Sequence, residues 1–412
     1  MKNSTKIPVK ILFLAWGYSI HAYRRIKIFA DDSRFEVALV SNFPYTIPGV
    51  KLYPLCGANR KAARKRNGQG IAREPLFSSL RRFVSRFLVA RMLRDILLFM
   101  PDINRVFRAY HEFRPDLIFL QTLIYPCYLA YVLPKETPLV VTFWNGDVLW
   151  WAKWNGIEQL FKKWLVTHGA RRAVAVTVNS AAARAACLNY EVEPGRIHLI
   201  RYPGVDLERF SPGAREQARH KLGITTSKVV LCPRGFAPYV NSDIIIRAAK
   251  VVAKAFPEVL FLFLAPNGQG VLIPPYKALA AELGILDNLR WEVDVPWEDM
   301  PEYFRAADAV VSISSKDSLP NSMLEAMGCA VPVIMGDIPE ISEWVIDGVN
   351  GFVVPVRDEV ILSVKLLVLL QGEDPRISGW LQYNRKLVEE HFDSRVNCEA
   401  IKSLVTLETK AK

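Results

Sequence analysis

Short apolar runs alternate with helix-like stretches along almost the whole chain. The first series of strand-like runs comprises Lys10–Trp16, Phe35–Val40, Asp116–Leu120, Pro138–Phe143 and Ala173–Val178. The helix-like stretches between the later runs are Tyr125–Val132, Gly156–Gly169 and Ser180–Leu188. Strands that alternate with helices imply right-handed crossovers, and therefore a parallel sheet that helices cover on both faces.

A second series begins after Arg201–Gly204, a Pro/Gly break that suits a hinge. Its strand-like runs are Val229–Cys232, Val259–Leu264, Leu289–Val293, Ala309–Ile313, Val331–Met335 and Phe352–Val354. Its helix-like stretches are Ser242–Ala255, Pro275–Leu283, Trp297–Ala306 and Ser322–Gly328, followed by a largely helical tail over 359–410. The length of 412 residues also favours two domains, because single cores stop growing near about 250–300 residues.

The domain boundaries follow from these two series. We expect one doubly wound α/β domain over 1–203 and a second over 204–385. A C-terminal helix over 386–412 completes the chain, and packing back on the first domain is one option for it. In such folds ligands bind outside the carboxyl ends of the strands.

Positive charge is concentrated in the first half. Residues 1–205 carry 31 Lys and Arg against 13 Asp and Glu, a net charge of +18, and the remainder carries −6. A chain polarised in this way is expected to turn its first half toward an anionic partner, of which membranes and nucleic acids are both examples.

An insertion over about 53–100 interrupts the strand–helix rhythm. Its segment Arg60–Arg94 holds 11 basic residues, with Glu74 as the single acid. The apolar side chains with helical spacing are Leu80, Phe83, Val84, Phe87 and Leu88, and Arg81, Arg82, Ser85 and Arg86 fall on the other side. This amphipathic helix suits an anionic membrane interface, and equally a helix that packs on its own domain with solvated arginines.

Cysteine spacing and hydropathy indicate a cytoplasmic protein. The six cysteines form no CxxC pair and no metal-ligand spacing, which is typical of reduced, buried thiols. No apolar run reaches the roughly 18–20 residues that span a bilayer. Because the cysteines lack a metal-ligand spacing, we also expect no metal site.

The segment Ser314–Glu343 carries the strongest functional signal, because it places a polar loop between a strand and a helix that begins near Pro320–Asn321. A helix N-terminus offers unpaired N–H groups and a partial positive charge, which suit phosphate or sugar oxygens. Asp317 lies just before this terminus and Glu325 about one turn inside the helix. Such carboxylates can bind the hydroxyls of a sugar and of a ribose. Alone, Asp317 is also an ordinary N-cap, and Glu325 an ordinary solvated helix position.

This segment resembles the Glu-x7-Glu signature of the retaining GT-B glycosyltransferases of family 4, in which a Glu-Gly-Phe-Gly loop precedes Leu-Glu-Ala-Met. Asp317 stands at the first acidic position and Glu325 at the second. The resemblance implies that Asp317 contacts the donor sugar and Glu325 the ribose. It also implies that Asn321, Ser322 and Met323 contact the diphosphate and sugar. Asp in place of Glu shortens the reach to the sugar by one methylene.

Arg234 follows the first strand of the second series, where the resemblance implies a basic residue on the donor diphosphate. A guanidinium can grip phosphate oxygens and stabilise a departing diphosphate without a metal. A surface arginine is the alternative. The family often carries a lysine five or six residues later, but Ala237–Val240 contains none. Either the second charge comes from elsewhere or catalysis is impaired.

A Trp-Asn-Gly-Asp loop after a strand of the first series resembles the Trp-Gly-Ser-Asp acceptor loop of one branch of the family. This resemblance places Trp144, Asn145 and Asp147 on the acceptor side, where Asp147 would orient the acceptor hydroxyl. A helix N-cap is the alternative role for Asp147. Gly17, in the first strand-to-helix turn, would let the backbone approach the donor closely. His21 is a further acceptor-side candidate, although a lone histidine is more often a packing residue.

The resemblance implies a GT-B fold, with two Rossmann-like doubly wound domains facing across a cleft and a C-terminal helical tail. The implied enzyme is a retaining glycosyltransferase that moves a sugar from a nucleoside-diphosphate sugar to a lipid-linked or glycan acceptor, in cell-surface polysaccharide or glycolipid synthesis. No cofactor or metal is expected, because no DxD-type carboxylate pair stands near a strand end. The basic first half is expected to hold the protein on the inner face of the cell membrane.

Three alternative classes stay open. A nucleotide-sugar epimerase of GT-B shape would share the fold but would lack the basic insertion and the acceptor-loop resemblance. A non-catalytic sugar-nucleotide-binding subunit would keep Glu325 and lose turnover, which the absent lysine makes conceivable. A nucleic-acid binder would explain the basic half, but no nucleic-acid-binding motif accompanies these arginines.

Overall fold

Apolar runs bounded by polar turns become two parallel sheets. The structure, a computed structural model, describes residues 7–16, 20–42, 46–55, 88–123, 125–144, 148, 157–265, 269–317 and 319–410. The described residues divide into two compact units, of which the first comprises 1–203 with 398–412 and the second comprises 204–397. The predicted pair of doubly wound α/β domains is confirmed.

The first unit contains a sheet of seven parallel strands within its described residues, in the order β3-β2-β1-β4-β5-β6-β7. The strands are β1 (Val9–Ala15), β2 (Phe35–Ser41), β3 (Val50–Pro54), β4 (Leu117–Leu120), β5 (Leu139–Phe143), β6 (Ala175–Val178) and β7 (Ile197–Leu199). The helices are α1 (Ile20–Ala30), α2 (Leu88–Phe113), α3 (Ile157–Arg172) and α4 (Ala181–Leu188). The inner strands β4, β5 and β6 are buried along their whole length, because apolar clusters lie on both faces.

The second unit contains a sheet of six parallel strands within its described residues, in the order β10-β9-β8-β11-β12-β13. These strands are β8 (Val229–Cys232), β9 (Leu260–Ala265), β10 (Leu289–Val293), β11 (Ala309–Ser312), β12 (Val333–Gly336) and β13 (Phe352–Val354). The helices up to β13 are α5 (Arg215–Lys221), α6 (Ser242–Ala255), α7 (Ile273–Glu282), α8 (Met300–Ala306), α9 (Asn321–Gly328) and α10 (Pro339–Ser342). Two separate apolar clusters pack against the two faces of this sheet.

The helical tail consists of α11 (Glu359–Gln371), α12 (Arg376–Phe392) and α13 (Ser394–Lys410). The expected single helix over 386–412 is wrong, because the chain is extended at Asp393. There the N–H of Val205 donates to the carbonyl of Phe392 at 2.7 Å, and the N–H of Ser394 donates to the carbonyl of Val205 at 2.9 Å. These two bonds replace helical ones, so the helix ends and a new one starts.

The C-terminal part of α13 belongs to the first unit. Ile401, Leu404 and Val405 are buried in the apolar cluster that covers one face of its sheet. Lys402 donates to Asp32 at 2.8 Å, and Arg34 bonds both Asp32 and Glu399. Apolar burial and an ionic network therefore both hold this helix.

Two strands were missed from the sequence, and both lie at sheet edges. β3 is only partly buried and β7 has three residues, so neither shows the continuous apolar run of an inner strand. The predicted insertion over 53–100 was also too wide. β3 continues to Pro54 and α2 begins at Leu88, with Pro101 inside the helix.

Candidate functional site

The second sheet changes direction between β8 and β11. From β8 the chain continues to β9 on one side, whereas β11 is followed by β12 on the other. In an open parallel sheet such a switch point leaves a crevice at the carboxyl ends of the two central strands. The loops that leave these two ends contain Arg234 and Asp317. The topology therefore brings together two residues that are 83 positions apart in the chain.

Arg234 and Asp317 form an ion pair. The guanidinium Nη2 of Arg234 donates to Oδ2 of Asp317 at 2.5 Å, and both side chains are more than half buried. The N-cap interpretation of Asp317 is not supported, because the cap position of α9 is Pro320 and no side chain caps it. A partly desolvated charge pair is strong when its partners are intact, and it leaves a costly charge when one is removed.

Backbone and side-chain bonds fix the two loops to each other. The N–H of Ser315 donates to the carbonyl of Tyr239 at 2.7 Å. The amide of Asn241 donates to the carbonyl of Ile313 at 2.7 Å and to Oγ of Ser315 at 2.8 Å. Asn241 adopts a left-handed backbone conformation with φ of 59°, which asparagine tolerates better than most residues. Arg234 and Asp317 thus project from a connected scaffold.

Glu325 is buried on α9, one helical turn after Asn321. The alternative of a solvated helix position is therefore wrong for this residue. The side chain of Met323 lies in the apolar core, and its N–H donates to the carbonyl of Pro320 at 3.0 Å. Among the described residues, the N–H groups of Asn321 and Ser322 have no hydrogen-bond partner. These two groups stay available to a ligand at the helix start.

Several buried polar atoms of this region lack partners within the described part of the chain. They are Nε of Arg234, Oγ of Ser314 and Oγ of Ser322. A buried donor or acceptor without a partner is unfavourable for folding, so several of them in one region are typical of a ligand-binding site. Their chemistry suits phosphate and hydroxyl oxygens, because all three can donate.

Two residues at this site were not identified from the sequence. The ammonium of Lys316 lies 5.1 Å from the ring centroid of Tyr239, which stands five positions after Arg234. This is the position at which the expected lysine is absent. Lys316 directly precedes Asp317 in the chain, and this adjacent positive charge is the sequence feature from which its role could have been predicted. The region therefore contains a second cation, carried by the loop after β11.

The first sheet has its own switch point, between β1 and β4. Gln121 directly follows β4, and its backbone carbonyl accepts the indole N–H of Trp144 at 2.6 Å. The ring of His21 lies 5.4 Å from that of Trp144. The structure therefore brings together two of the acceptor-side candidates, Trp144 and His21. Trp144 also has a structural role, because its bond connects the ends of β4 and β5.

Two further buried polar groups lie near this pair. Both amide atoms of Gln121 are buried, with no partner among the described residues. Arg25 is buried between rings, with its guanidinium carbon 4.3 Å from the centroid of Tyr202 and 5.5 Å from that of Trp144, and it donates to Thr142. Burial lowers the pKa of Arg25 to about 10. Neither residue could be identified from the sequence, because neither belongs to a motif.

Some predicted positions lie outside the described residues. These are Gly17, Asn145, Asp147 and the amphipathic segment around Arg81 and Arg82. Within the described ranges no group of three or more His, Cys, Asp or Glu is arranged to hold a metal ion. Within the same ranges no helix is both long enough and apolar enough to cross a bilayer.

Family comparisons match the two halves of the chain separately. Residues 214–385 match the family described as glycosyl transferases group 1. Residues 58–209 match the family described as glycosyltransferase family 4. The first of these ranges contains Arg234, Asp317 and Glu325, and the second contains Gln121 and Trp144.

Curated relatives share part of their length with this chain. A D-inositol 3-phosphate glycosyltransferase of Geodermatophilus obscurus is 37% identical over 221 residues, which is 52% of this chain and 48% of the relative. A protein of the same name from Thermobispora bispora is 32% identical over 216 residues, 51% of this chain and 50% of the relative. The chain thus spans about half the length of the curated relatives that it matches.

Solved structures match over nearly the whole chain. HepE of Anabaena in complex with UDP is similar with a TM-score of 0.70 and 18% identity, covering 97% of this chain and 100% of that one. WaaG, a glycosyltransferase involved in lipopolysaccharide biosynthesis, is similar with a TM-score of 0.65 and 15% identity, covering 95% and 98%. At these identities the similarity establishes the fold.

Proposed function

Because this chain belongs to the GT-B glycosyltransferases, with a family 4 domain followed by a group 1 domain, we propose that it transfers a sugar from a nucleoside-diphosphate sugar to an acceptor hydroxyl. The observation that carries this proposal is the Arg234–Asp317 pair at the switch point of the second sheet. In the same loop and at the start of α9 are the N–H groups of Asn321 and Ser322 and the hydroxyls of Ser314 and Ser322, which have no hydrogen-bond partner within the described residues.

The donor would exchange partners with this ion pair. In the structure the charges of Arg234 and Asp317 neutralise each other. A diphosphate brings two or more negative charges to the guanidinium and the helix start, where it competes with Asp317. The released carboxylate is then an acceptor for sugar hydroxyls, as the family resemblance implies. Glu325, buried one turn along α9, is assigned to the ribose.

The chemical step needs stabilisation of the leaving diphosphate. Arg234 and the N–H groups of Asn321 and Ser322 would supply fixed positive ends where that charge grows. We propose transfer with retention of configuration and without a metal, on the basis of the family resemblance. On the acceptor side, Asp147 would orient the hydroxyl, and Trp144 and Asn145 would line the same loop.

We propose a lipid-linked or glycan acceptor at an anionic membrane, with the protein peripheral on its cytoplasmic face, in cell-surface polysaccharide or glycolipid synthesis. The net charge of +18 over residues 1–205 supports the membrane partner. HepE has been solved with UDP-glucose, which supports a nucleotide-sugar donor for a chain of the same fold. The relatives named for D-inositol 3-phosphate indicate a second acceptor class to test, a soluble sugar phosphate.

A thermal-shift screen against UDP-, GDP- and ADP-sugars tests the donor assignment. We expect one base class to raise the melting temperature of the wild-type protein, since a ligand stabilises the state that it binds. Glu325→Gln keeps the shape of the side chain and should abolish most of that shift. Glu282→Gln, at an exposed position of α7, is the matched control and should keep it. No stabilisation by any class, or an equal shift in Glu325→Gln, would contradict the proposal.

Diphosphate release separates the remaining classes. A transferase should release nucleoside diphosphate in proportion to added lipid-linked, glycan or sugar-phosphate acceptor. An epimerase of the same shape would convert the donor without an acceptor, and a non-catalytic subunit would bind it without turnover. Donor binding together with acceptor-dependent release is therefore the result that we expect.

A further inference from the structure

The outward face of α3 exposes large apolar side chains. Leu160 is 69% exposed, Phe161 is 48% exposed and Trp164 is 53% exposed. The three share one side of the helix, because they are separated by one, three and four positions. Val132, on a neighbouring 3-10 turn, is also exposed. Single exposed apolar residues are common, whereas a contiguous group that includes two large rings indicates an interaction surface.

Ring stacking holds this group in place. Phe161 and Trp164 are stacked with centroids 6.0 Å apart, and Trp164 and His168 are stacked at 5.2 Å. The row is anchored at both ends, by Tyr128 at 6.3 Å from Phe161 and by Tyr131 at 5.1 Å from His168. Side chains fixed in this way lose little conformational freedom when they are covered.

Basic residues outnumber acidic ones along and beside α3, where Glu136 follows Lys135 and Glu158 lies in the first turn. Lys163 and Lys135 are exposed at the edge of the surface, and Arg171 lies further along α3, paired with Glu191 at 2.7 Å. Burial first, and then the nearby cations Arg172, Lys135 and Arg171, lower the pKa of His168 at the end of the ring row.

The sequence of this region has the same composition. Between residues 150 and 172 there are five Lys and Arg and one acid. Of the ten tryptophans in the chain, five lie between residues 144 and 164. Tryptophan is enriched at the level of lipid headgroups, and helices rich in Lys with Trp, Phe and Leu bind in membrane interfaces.

We propose that the outward face of α3, comprising Leu160, Phe161, Trp164 and Lys163, docks the first unit on an anionic lipid bilayer. The charge favours a bilayer over a protein partner, because lysine is depleted at protein interfaces and attracted to anionic headgroups. None of its residues belongs to the basic segment at 60–94 of the sequence. It names a site for the membrane partner of the proposed function and does not depend on the donor chemistry.

Vesicle sedimentation tests this surface. The 412-residue chain is mixed with vesicles of phosphatidylcholine alone, or with vesicles that also contain roughly 30 mol% of the anionic lipid phosphatidylglycerol. The variant Phe161→Ser with Trp164→Ser should lower partitioning onto the anionic vesicles by about tenfold or more, since two large apolar groups leave the interface. Lys163→Glu should lower it about fivefold at low salt and little at high salt.

The matched control is Tyr383→Ser, because Tyr383 is an aromatic residue of similar exposure on α12 in the second unit. It should partition like the wild type. Leu160→Gln is a second test variant for the case that the double variant unfolds, because Leu160 is the most exposed of the group. The nucleotide-sugar should raise the melting temperature of every variant as much as that of the wild type. If it does not stabilise the wild type at all, the donor assignment fails and the membrane inference is unaffected.

Two results would overturn the inference. One is equal partitioning of the wild type, the double variant and Leu160→Gln onto anionic vesicles. The other is concentration-dependent self-association of the wild type in light scattering that the double variant abolishes while vesicle binding persists, which would make the same face a protein interface. Weaker binding of both Leu160→Gln and Lys163→Glu, with Tyr383→Ser unchanged, supports a bilayer.

Discussion

The guanidinium of Arg234 lies 2.5 Å from the carboxylate of Asp317, across the switch point of the second sheet. The two loops that hold these side chains are themselves joined through Asn241 and Ser315. The pair is thus presented in a fixed position before a donor arrives. In the proposed mechanism the donor replaces this mutual ion pair when it binds, and Arg234 is then already in place when the leaving diphosphate develops its charge.

Replacing Arg234 by Gln should reduce turnover of the nucleotide-sugar by roughly 10²–10³-fold, the usual effect of removing one stabilising donor from a reaction site. Arg215→Gln is the matched control, because Arg215 forms a similar pair with Asp308 at 2.8 Å, at the other end of β11. Steady-state diphosphate release measures both. Equal rates in Arg234→Gln and Arg215→Gln would refute the assignment of Arg234 to the diphosphate.

Lys316 should act as the second cation of the donor site. Its ammonium lies over the ring of Tyr239, which limits its movement at a place where a diphosphate would bind. Lys316→Met should raise the KM for the donor about tenfold, and Tyr239→Leu should have a smaller effect in the same direction. Lys277→Met, on α7, serves as the control. A donor KM that is unchanged in Lys316→Met would contradict this role.

Asp32 bonds Lys402 of α13 and Arg34, which precedes β2, and this contact should make the free energy of unfolding depend on pH in the acid range. Hydrogen bonds from Arg34 first, and from Lys402 next, hold the pKa of Asp32 well below its ordinary value. A carboxylate with a lowered folded-state pKa stabilises the fold fully above the unfolded pKa of about 3.9. That stability is lost as the pH falls below it, toward the folded pKa.

Asp32→Asn should therefore lower the free energy of unfolding at pH 7 by roughly 1–2 kcal/mol, and should flatten its decline below about pH 4. Urea unfolding at pH 7, 4 and 3 measures both effects. The neighbouring Asp31→Asn removes only an exposed pair with Lys27 and should change stability by less than about 0.5 kcal/mol. If the free energies of unfolding of Asp32→Asn and the wild type vary with pH in parallel, Asp32 does not stabilise the contact with α13.

The basic segment around Arg81 and Arg82 should add to membrane binding independently of α3. Arg81→Glu with Arg82→Glu is expected to weaken partitioning onto anionic vesicles at low salt, with little difference at high salt, because charge attraction is screened. Combining this change with Trp164→Ser should weaken binding further than either alone. Unchanged partitioning at low salt would restrict the membrane contact to the face of α3.

The inner strands and the helix α9 were predictable because their determinants are local. A strand such as β5 is buried on both faces, so all of its residues except Thr142 are apolar and the run is visible in the sequence. The edge strands β3 and β7 do not meet this requirement, and they were missed. The break between α12 and α13 was also missed, because its cause is Val205, almost 190 residues earlier in the chain.

The candidate site divides in the same way. The sequence by itself determined which residues are available: Arg234, Asp317, Glu325 and the start of α9 lie in segments with recognisable spacing. Only the tertiary structure decided that Arg234 and Asp317 are partners, that Lys316 lies over Tyr239, and that Gln121 and Arg25 are buried beside Trp144. The physical reason is that strand order in a sheet decides which loop ends become neighbours. That order depends on packing between segments far apart in the chain, which no local pattern of residues records.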